Sequence, residues 1–414
     1  MRIVFLCSSL EPGRDGVGDY TRLLARECVR QGHACALLAL HDRHITAPIE
    51  ETIPISPSPN GGVSSPHSAF GFSPIPMLRL PAAMPWPERV EKASAFRASF
   101  QPDWVSLQFV PYGFNDKGII TGLANRLQKI AGDFSRVHIM FHELWIGAAK
   151  ESSLRHRFTG AIQRLFIHDM IRKLKPSVIH THTPAYVAML KEAGFSASLL
   201  PLFGAIPIVD GGNVQWLWAA LAGVGCSIND QNRAGFWLTG FFGALHREWE
   251  PEPFFGILRR TAQTAGKQVC ILAIGRTGVG ETRWEQMAHE YAGDFFFLKL
   301  GEQPPEKISQ CLQAMDFGIA ASPWQLIGKS STVAAMLDHG LPTIVTRDDV
   351  HFRIPVTASP STDPLLIQCD TYLGASLAGS LKRRPALSRS SEITSRFLSQ
   401  LSYKGKVFQL TANL

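Results

Sequence analysis

The 414-residue sequence predicts an α/β protein made of two Rossmann-like βαβ halves that face one cleft. Three observations carry this expectation. Short apolar runs of strand length alternate with helical spacing along the whole chain. Two glycine-marked loops, far apart, each sit between a strand-like and a helix-like run. The chain is 45% hydrophobic, which at this length suffices for two ordinary cores, and no third domain is expected.

The first loop follows the run Arg2 to Cys7. Gly13, Gly16 and Gly18 break that run, and helical spacing resumes from Asp19 to Arg30, with Gly32 closing the helix. Glycines let backbone amides approach a ligand, and a helix start adds partial positive charge, so the geometry suits an anionic or hydroxyl-rich ligand. The order of residues departs from the dinucleotide fingerprint, because Thr21 stands where a third glycine belongs. A tight turn packing a helix on a sheet is the plainer reading of the same residues.

The second loop is more specific. Ala314 to Ala321 reads as a buried strand, Ser322 to Gly328 as a loop, and Lys329 to His339 as a helix with Ser330, Ser331 and Thr332 in its first turn. Free amides, hydroxyls and an ammonium at one helix start suit a diphosphate. The stretch is not a P-loop, since Pro323, Trp324, Gln325, Leu326 and Ile327 replace the required glycines, and nucleotide hydrolysis is disfavoured. An ordinary serine-capped helix is the plainer alternative.

The remaining elements follow the same alternation. In the first half the strands are expected at Ile3 to Cys7, Ala34 to Leu40, Trp104 to Val110, Val137 to Phe141, Val178 to Thr181 and Ser198 to Leu202. Residues 48–87, rich in Pro, Ser and Gly, read as one long surface loop, either a mobile cover to the cleft or, the plainer reading, a disordered stretch. Residues 206–235 read as an interdomain connection carrying a short helix, so the first domain is placed at 1–205 and the second at 236–387. In the second half the strands are Phe236 to Leu245, Val269 to Ile274, Phe295 to Leu300, Thr343 to Thr346 and Leu365 to Cys369. A Pro251-primed helix and helices at Thr282 to Ala292 and Pro305 to Met315 lie between them.

The net charge is +7 and the pI about 9.1, with the basic residues spread from Arg14 to the Lys382-Arg383-Arg384 run. This balance favours anionic ligands and is compatible with peripheral contact with an acidic membrane surface, as at an inner membrane face. Nucleic acid is not expected as a partner: the sequence has no zinc-finger spacing, no RNA-binding aromatic signature and no basic arm. Seven scattered cysteines read as buried free thiols of a reducing, cytoplasmic setting. The N-terminal apolar run is cut by Glu11 and Pro12, so no signal peptide is expected. The longest apolar stretch elsewhere, Trp216 to Cys226, is too short to span a bilayer.

Several residues stand at the carboxyl ends of strands, where ligands of open α/β sheets collect. His142 follows the run VHIMF, and Arg276 follows VCILAIG. Gly16, Gly18, Asp19, Tyr112 and Phe114 follow strands of the first half, and the aromatics there could stack on sugar rings or simply pack the loop. His180 and His182 share one strand face, but no third ligand stands at a metal-binding spacing, so no metal is expected. The sequence holds no D-x-D pair and no G-x-S-x-G.

The opening MRIVFLCSSLEPGRDGVGDYTRLLARECVRQGH resembles the start of retaining, glycogen-synthase-like GT-B glycosyltransferases. FHELW from Phe141, GFFGALHREWEPEPFFGIL from Gly240 and SPWQLIGKSSTVAAMLDHGLPTIVT from Ser322 continue the resemblance in the same order. It implies a GT-B fold and metal-independent sugar transfer from a nucleotide sugar to a hydroxyl acceptor, with retained configuration and no cofactor. It further implies catalytic roles for His142, Arg247 and Lys329: the histidine near the donor sugar, the two cations on the leaving diphosphate. Gly243, His246, Arg276, Gln325, Gly328, Ser330, Ser331 and Thr332 would bind the donor, and Gly16, Gly18, Asp19, Tyr112 and Phe114 the acceptor. A terminal helix within 388–414 is expected to cross back to the first domain. The chain departs from the family at its glutamate pair, where Gln325 with Val333, or Ile327 with Ala335, now stand. A nucleotide-sugar epimerase and a non-catalytic carbohydrate-binding relic are the alternative readings.

Overall fold

The computed structural model describes residues 1–55, 73–132, 136–246, 249–379 and 381–411, and for 403–411 the backbone alone. The chain divides into two compact units. The first comprises Met1–Pro201, Phe352–Val356 and Ser390–Leu414, and the second Leu202–His351 and Thr357–Arg389.

In chain order the first unit contains β1 (Arg2–Cys7), α1 (Gly16–Arg30), β2 (Ala34–Asp42), β3 (Ile49–Ile53), β4 (Ile75–Pro81), α2 (Trp86–Phe100) and β5 (Trp104–Phe109). It continues with α3 (Pro111–Phe114), α4 (Leu123–Ala131), β6 (Arg136–Phe141), α5 (Leu154–Leu174), β7 (Val178–Thr181), α6 (Pro184–Glu192) and β8 (Ser198–Leu199). The strands form one sheet in the order β3-β4-β2-β1-β5-β6-β7-β8, parallel except for the β3–β4 pair. Central strands such as β1 and β5 are buried along nearly their whole length, as strands covered on both faces must be.

The second unit holds α7 (Gln215–Ala222), β9 (Phe236–Phe242), α8 (Phe254–Thr264), β10 (Gln268–Ile274), α9 (Glu281–Glu290), β11 (Phe296–Gly301), α10 (Pro305–Ala314) and β12 (Phe317–Pro323). α11 (Ser331–Asp338), β13 (Thr343–Arg347), β14 (Leu366–Gln368) and α12 (Leu373–Ala378) complete it. Its sheet, β11-β10-β9-β12-β13-β14, is parallel throughout. The last helix, α13 (Ser390–Thr411), belongs to the first unit, where Phe397 packs 6.1 Å from the Phe5 ring.

Two expectations need correction. Residues 48–87 are not one loop, because β3 and β4 occupy its two ends and α2 begins at Trp86; residues 56–72 lie outside the described residues. β4 carries Pro76, Pro81 and a charge, Arg79, yet it forms because β2 pairs with it and Asp42 accepts the guanidinium. Residues 206–235 do not stand outside the domains. Leu217, Trp218 and Leu221 of α7 are buried against Leu238, Cys270 and Leu272 of the second sheet, so this segment is core, not connection. In the basic run near the C-terminus Lys382 is exposed, while Arg383 donates to the carbonyls of Leu312, Met315 and His339, and Arg384 pairs with Asp363. All seven cysteines are free, and all but Cys369 are buried.

Candidate active site

The carboxyl edge of the first sheet is organised by the chain leaving β1. Asp15 caps α1, its side chain accepting from the amides of Val17 and Gly18, so the helix begins at Gly16, three residues before the expected Asp19. Gly18 is required by packing, since an added Cβ would lie 2.5 Å from the Ser9 carbonyl oxygen. Around Gly16 there is open space. Asp19 turns back into the loop and accepts from the Gly13 amide at 3.1 Å with both oxygens. Burial raises its carboxyl above the ordinary range, partly offset by the Gly13 amide and Arg22.

The aromatics after β5 divide. The Tyr112 hydroxyl accepts from Gln163 Nε2 at 3.1 Å and stays half-buried. Phe114 is buried, stacked 6.0 Å from Phe109, with an edge on a cavity of about 450 Å³ that Trp86 and Arg126 also line. Its ring thus packs within the loop, as the plainer of the two expectations had it, and also borders that cavity.

His142 stands directly after β6, buried, at the centre of a polar chain that the sequence reading missed. The chain runs across β5, β6 and β7 on one face of the sheet. The Leu200 carbonyl lies 2.8 Å from His182 Nδ1, which must therefore carry the proton, and His182 Nε2 accepts from His142 Nδ1–H at 2.9 Å. This leaves His142 Nε2 an acceptor, while the Gln108 atom placed 3.0 Å from it, Oε1, is an acceptor too. Either the ring takes a second proton or the amide presents its NH2. Burial, with the neighbouring His182, drives His142 well below the ordinary histidine range, so the ring is neutral and the Gln108 amide must be turned over, its NH2 toward the ring, to donate. Ser106, 2.8 Å from both Gln108 and His138 Nδ1, links the amide to His138, whose Nε2 is 3.1 Å from His180 Nδ1. Burial lowers His180 and His182 to about 4, and holds His138 well below the ordinary histidine range.

Both ring nitrogens of His142 are thus engaged inside the protein. To bond a sugar hydroxyl the imidazole would have to give up His182 or Gln108. Tyr20 closes the edge, its ring 5.2 Å from His142 and 5.7 Å from His182 in edge-on contact. A signal for the chain existed in the sequence: Ser106 and Gln108, like His180 and His182, are two apart on a strand, and His138 and His142 four apart, spacings that share a face.

The carboxyl edge of the second sheet gathers the residues expected to bind the donor. Gly243 ends β9 at φ +84°, a left-handed turn, and an added Cβ would meet Thr332 Cγ2 at 2.7 Å. The exit of β9 thereby touches the start of α11. That helix begins at Ser331, not Lys329, because Trp324–Lys329 form a 3-10 turn and Ser330 caps the helix. Ser330 Oγ accepts from the Val333 amide at 3.4 Å and lies 3.1 Å from Thr332 Oγ1. The first amides of α11, at Ser331 and Thr332, have no intrahelical acceptor. Lys329 and Gly328 are half-buried on the 3-10 turn, while His246 and Ser331 are exposed.

Gln325, on the same turn, has a buried Oε1 that accepts no hydrogen bond. Ile327, Val333 and Ala335 are core residues, 1%, 3% and 1% exposed, so neither glutamate position of the resembled family could reach a ligand except through Gln325. Arg276 is exposed and paired with Glu302 at 2.5 Å. Arg247 lies outside the described residues. Trp249 is fully buried, and its Nε1 donates to Thr346 Oγ1 at 2.7 Å.

Two sheets of parallel strands with this order and length can be compared with solved structures. Along its full length the chain is similar to the Anabaena protein HepE, crystallised with UDP and glucose and with UDP-glucose: TM-score 0.54, 14% identity, 100% of each chain covered. It is similar also to the catalytic domain of starch synthase IV from Arabidopsis thaliana bound to ADP and acarbose, at TM-score 0.52 and 12% identity, covering 98% of this chain and 99% of that one. The fold is GT-B. Neither a protein-family model nor a curated protein matches the sequence. Among the described residues no group of three or more His, Cys, Asp or Glu side chains is placed to hold a metal ion, and no helix is long and apolar enough to cross a membrane.

Proposed function

We propose that this chain is a retaining, metal-independent glycosyltransferase that moves a sugar from a nucleotide-sugar donor to a hydroxyl acceptor. The observation that carries the reading is the full-length GT-B likeness to HepE and starch synthase IV, both solved with a nucleoside diphosphate. The edge of the second sheet supports it. A diphosphate seated on the start of α11 would receive the amides of Ser331 and Thr332 and the Ser330 and Thr332 hydroxyls, with Gly243 keeping the β9 exit close. Lys329 and Arg247 would balance the negative charge that grows on the leaving phosphate as the anomeric bond breaks, favouring the transition state over the bound donor.

Gln325 takes the place of an acid that would accept from a ribose hydroxyl. Its orphaned Oε1 can accept one such hydrogen bond, and an unpaired buried acceptor of this kind is otherwise costly. His246 and Arg276 flank the donor, and Gly16, Asp19 and Tyr112 the acceptor. His142 contributes through its backbone carbonyl and by fixing the β6 exit, because its ring is held on both sides. The surplus of cations supports contact with an acidic membrane surface, for which one helix face is argued below.

The test is incubation with a panel of nucleotide sugars, reading free nucleotide and the configuration of the product. Nucleotide release that falls in Arg247→Ala and Lys329→Ala supports transfer with this donor site. Donor binding without any release would favour the relic reading, which the apolar Val333 and Ala335 encourage, and an epimerised donor would replace the proposal.

A further inference from the structure

We infer that α5 is a docking surface for an anionic lipid bilayer. The buried side of this helix is defined by Gly160, Gln163, Ile167, Met170, Ile171 and Leu174. Gln163 fixes it to the body of the unit, accepting from the Ile146 amide at 3.0 Å and donating to the Tyr112 hydroxyl and the Lys117 carbonyl. The opposite side is apolar where a soluble helix should be polar. Leu154, Phe158 and Leu165 are 80%, 72% and 70% exposed. With Ala161, also exposed, their spacings of four, three and four keep them on one stripe along the helix.

Cations flank the stripe. Within Leu154–Leu174 stand Arg155, Arg157, Arg164, Arg172 and Lys173 against the single acid Asp169, which is already paired with Lys173 at 2.9 Å. Arg157 and Arg164 rest on one side, Arg155 on the other. Arg164 lies 3.6 Å from Glu192 and over the Trp145 ring, whereas the exposed Arg157 reaches only the Ser152 and Lys150 carbonyls, and Arg155 and Arg172 are exposed with no ion pair among the described residues. An apolar ridge edged by arginines complements a surface that is negative at its headgroups and apolar beneath, and a helix lying in that interface buries such a ridge without crossing the membrane. A protein partner would need an apolar groove ringed with acids; a bilayer supplies both features without specific shape. The inference rests on the charge reading and on this helix, and is independent of the transferase activity.

The experiment is co-sedimentation of the full chain with phosphatidylcholine vesicles, with and without phosphatidylglycerol, beside a gel-filtration measurement of its mass. Binding is expected to the anionic vesicles and to weaken with salt. Removing one arginine, Arg155→Gln or Arg172→Gln, lowers the affinity about five-fold. The triple variant Leu154→Ser, Phe158→Ser, Leu165→Ser loses binding while its circular dichroism and thermal melt, and any nucleotide release, stay those of the parent, since all three side chains are solvated. Equal sedimentation of parent and triple variant, or none by either, overturns the inference. So does a parent dimer that the triple variant converts to monomer with no change on vesicles, which would assign the ridge to a second copy of the chain.

Discussion

Arg79 Nε donates to Asp42 Oδ2 at 2.8 Å, and the two side chains are 7% and 0% exposed. Asp42 also accepts from the Leu10 amide at 3.3 Å and the His44 amide at 3.0 Å, and Arg79 reaches on to Glu11, so this pair ties the ends of β2 and β4 to the loop leaving β1. The glycine loop at the candidate acceptor edge is therefore held from beneath by a buried charge pair whose partners stand 37 residues apart in the chain.

Removing one partner leaves a buried charge uncompensated. Arg79→Met is expected to lower stability by about 3 to 5 kcal/mol, and Arg79→Met with Asp42→Leu by less than the sum of the single changes, measured by denaturant unfolding. Burial alone would raise Asp42, but Arg79 and the two amides outweigh it and hold the carboxyl below its ordinary range. The folded state thus keeps the anion, and this contribution is present above the unfolded pKa of about 4 and disappears as pH falls below it. Additive single and double changes would show that the two residues do not act as a pair.

Gly243 presses on Thr332 through a space too small for a methyl group. Gly243→Ala meets two separate costs, a left-handed backbone of about 1 to 2 kcal/mol and the 2.7 Å approach to Thr332 Cγ2. Adding Thr332→Ser removes that methyl and relieves the steric part alone. A double variant as unstable as Gly243→Ala would mean that the backbone is the whole effect, and that the β9 exit does not bear on α11.

Much of this architecture is legible because parallel strands covered on both faces are continuous apolar runs: RIVFLC, WVSLQF and QVCILAI each coincide with a strand to within a residue or two. β4 is hidden by its prolines and by Arg79, whose partner Asp42 is distant in the chain. α7 reads as a linker because its tryptophans follow a glycine-rich stretch, yet burial against β9 and β10 makes it core. At the candidate site the serine-rich turn was legible, but the helix start was displaced by two residues because Ile327, a core anchor, winds the preceding turn as 3-10 helix. The histidine chain was only half visible. Its links are cross-strand neighbours, and register, which a single strand's spacing does not reveal, brings Ser106 opposite His138 and Met140 opposite His180.

Ser330 has two separable tasks, and two substitutions part them. Ser330→Ala removes the helix cap and costs about 1 kcal/mol of stability. Ser330→Asp keeps a capping oxygen for the Val333 amide but places a negative charge where a diphosphate would sit. The expected outcome is near-parental stability with donor binding weakened at least about ten-fold, read by nucleotide titration calorimetry. Undiminished nucleotide affinity in Ser330→Asp would remove the start of α11 from the donor site.

The histidine chain makes a prediction of defined sign. Burial lowers His180 and His182 to about 4 from an ordinary value of 6.5, so the folded protein keeps both rings neutral where the unfolded chain protonates them. Their contribution is whole above about pH 6.5 and is lost as pH falls from there toward 4, with a slope of about 1.4 kcal/mol per pH unit for each ring. Carboxylates scarcely titrate between about pH 6.5 and 5, so in that interval the slope comes from histidines lowered on folding, among them His138, His142 and His41 as well as these two. Denaturant unfolding across it should show stability falling with acid, and His180→Gln should remove about one ring's share of the slope while keeping a polar group beside His138. A parent protein equally stable at both ends of the interval would mean that these rings are not held neutral by burial, and the neutral His182 on which the His142 proton assignment rests would fall with it.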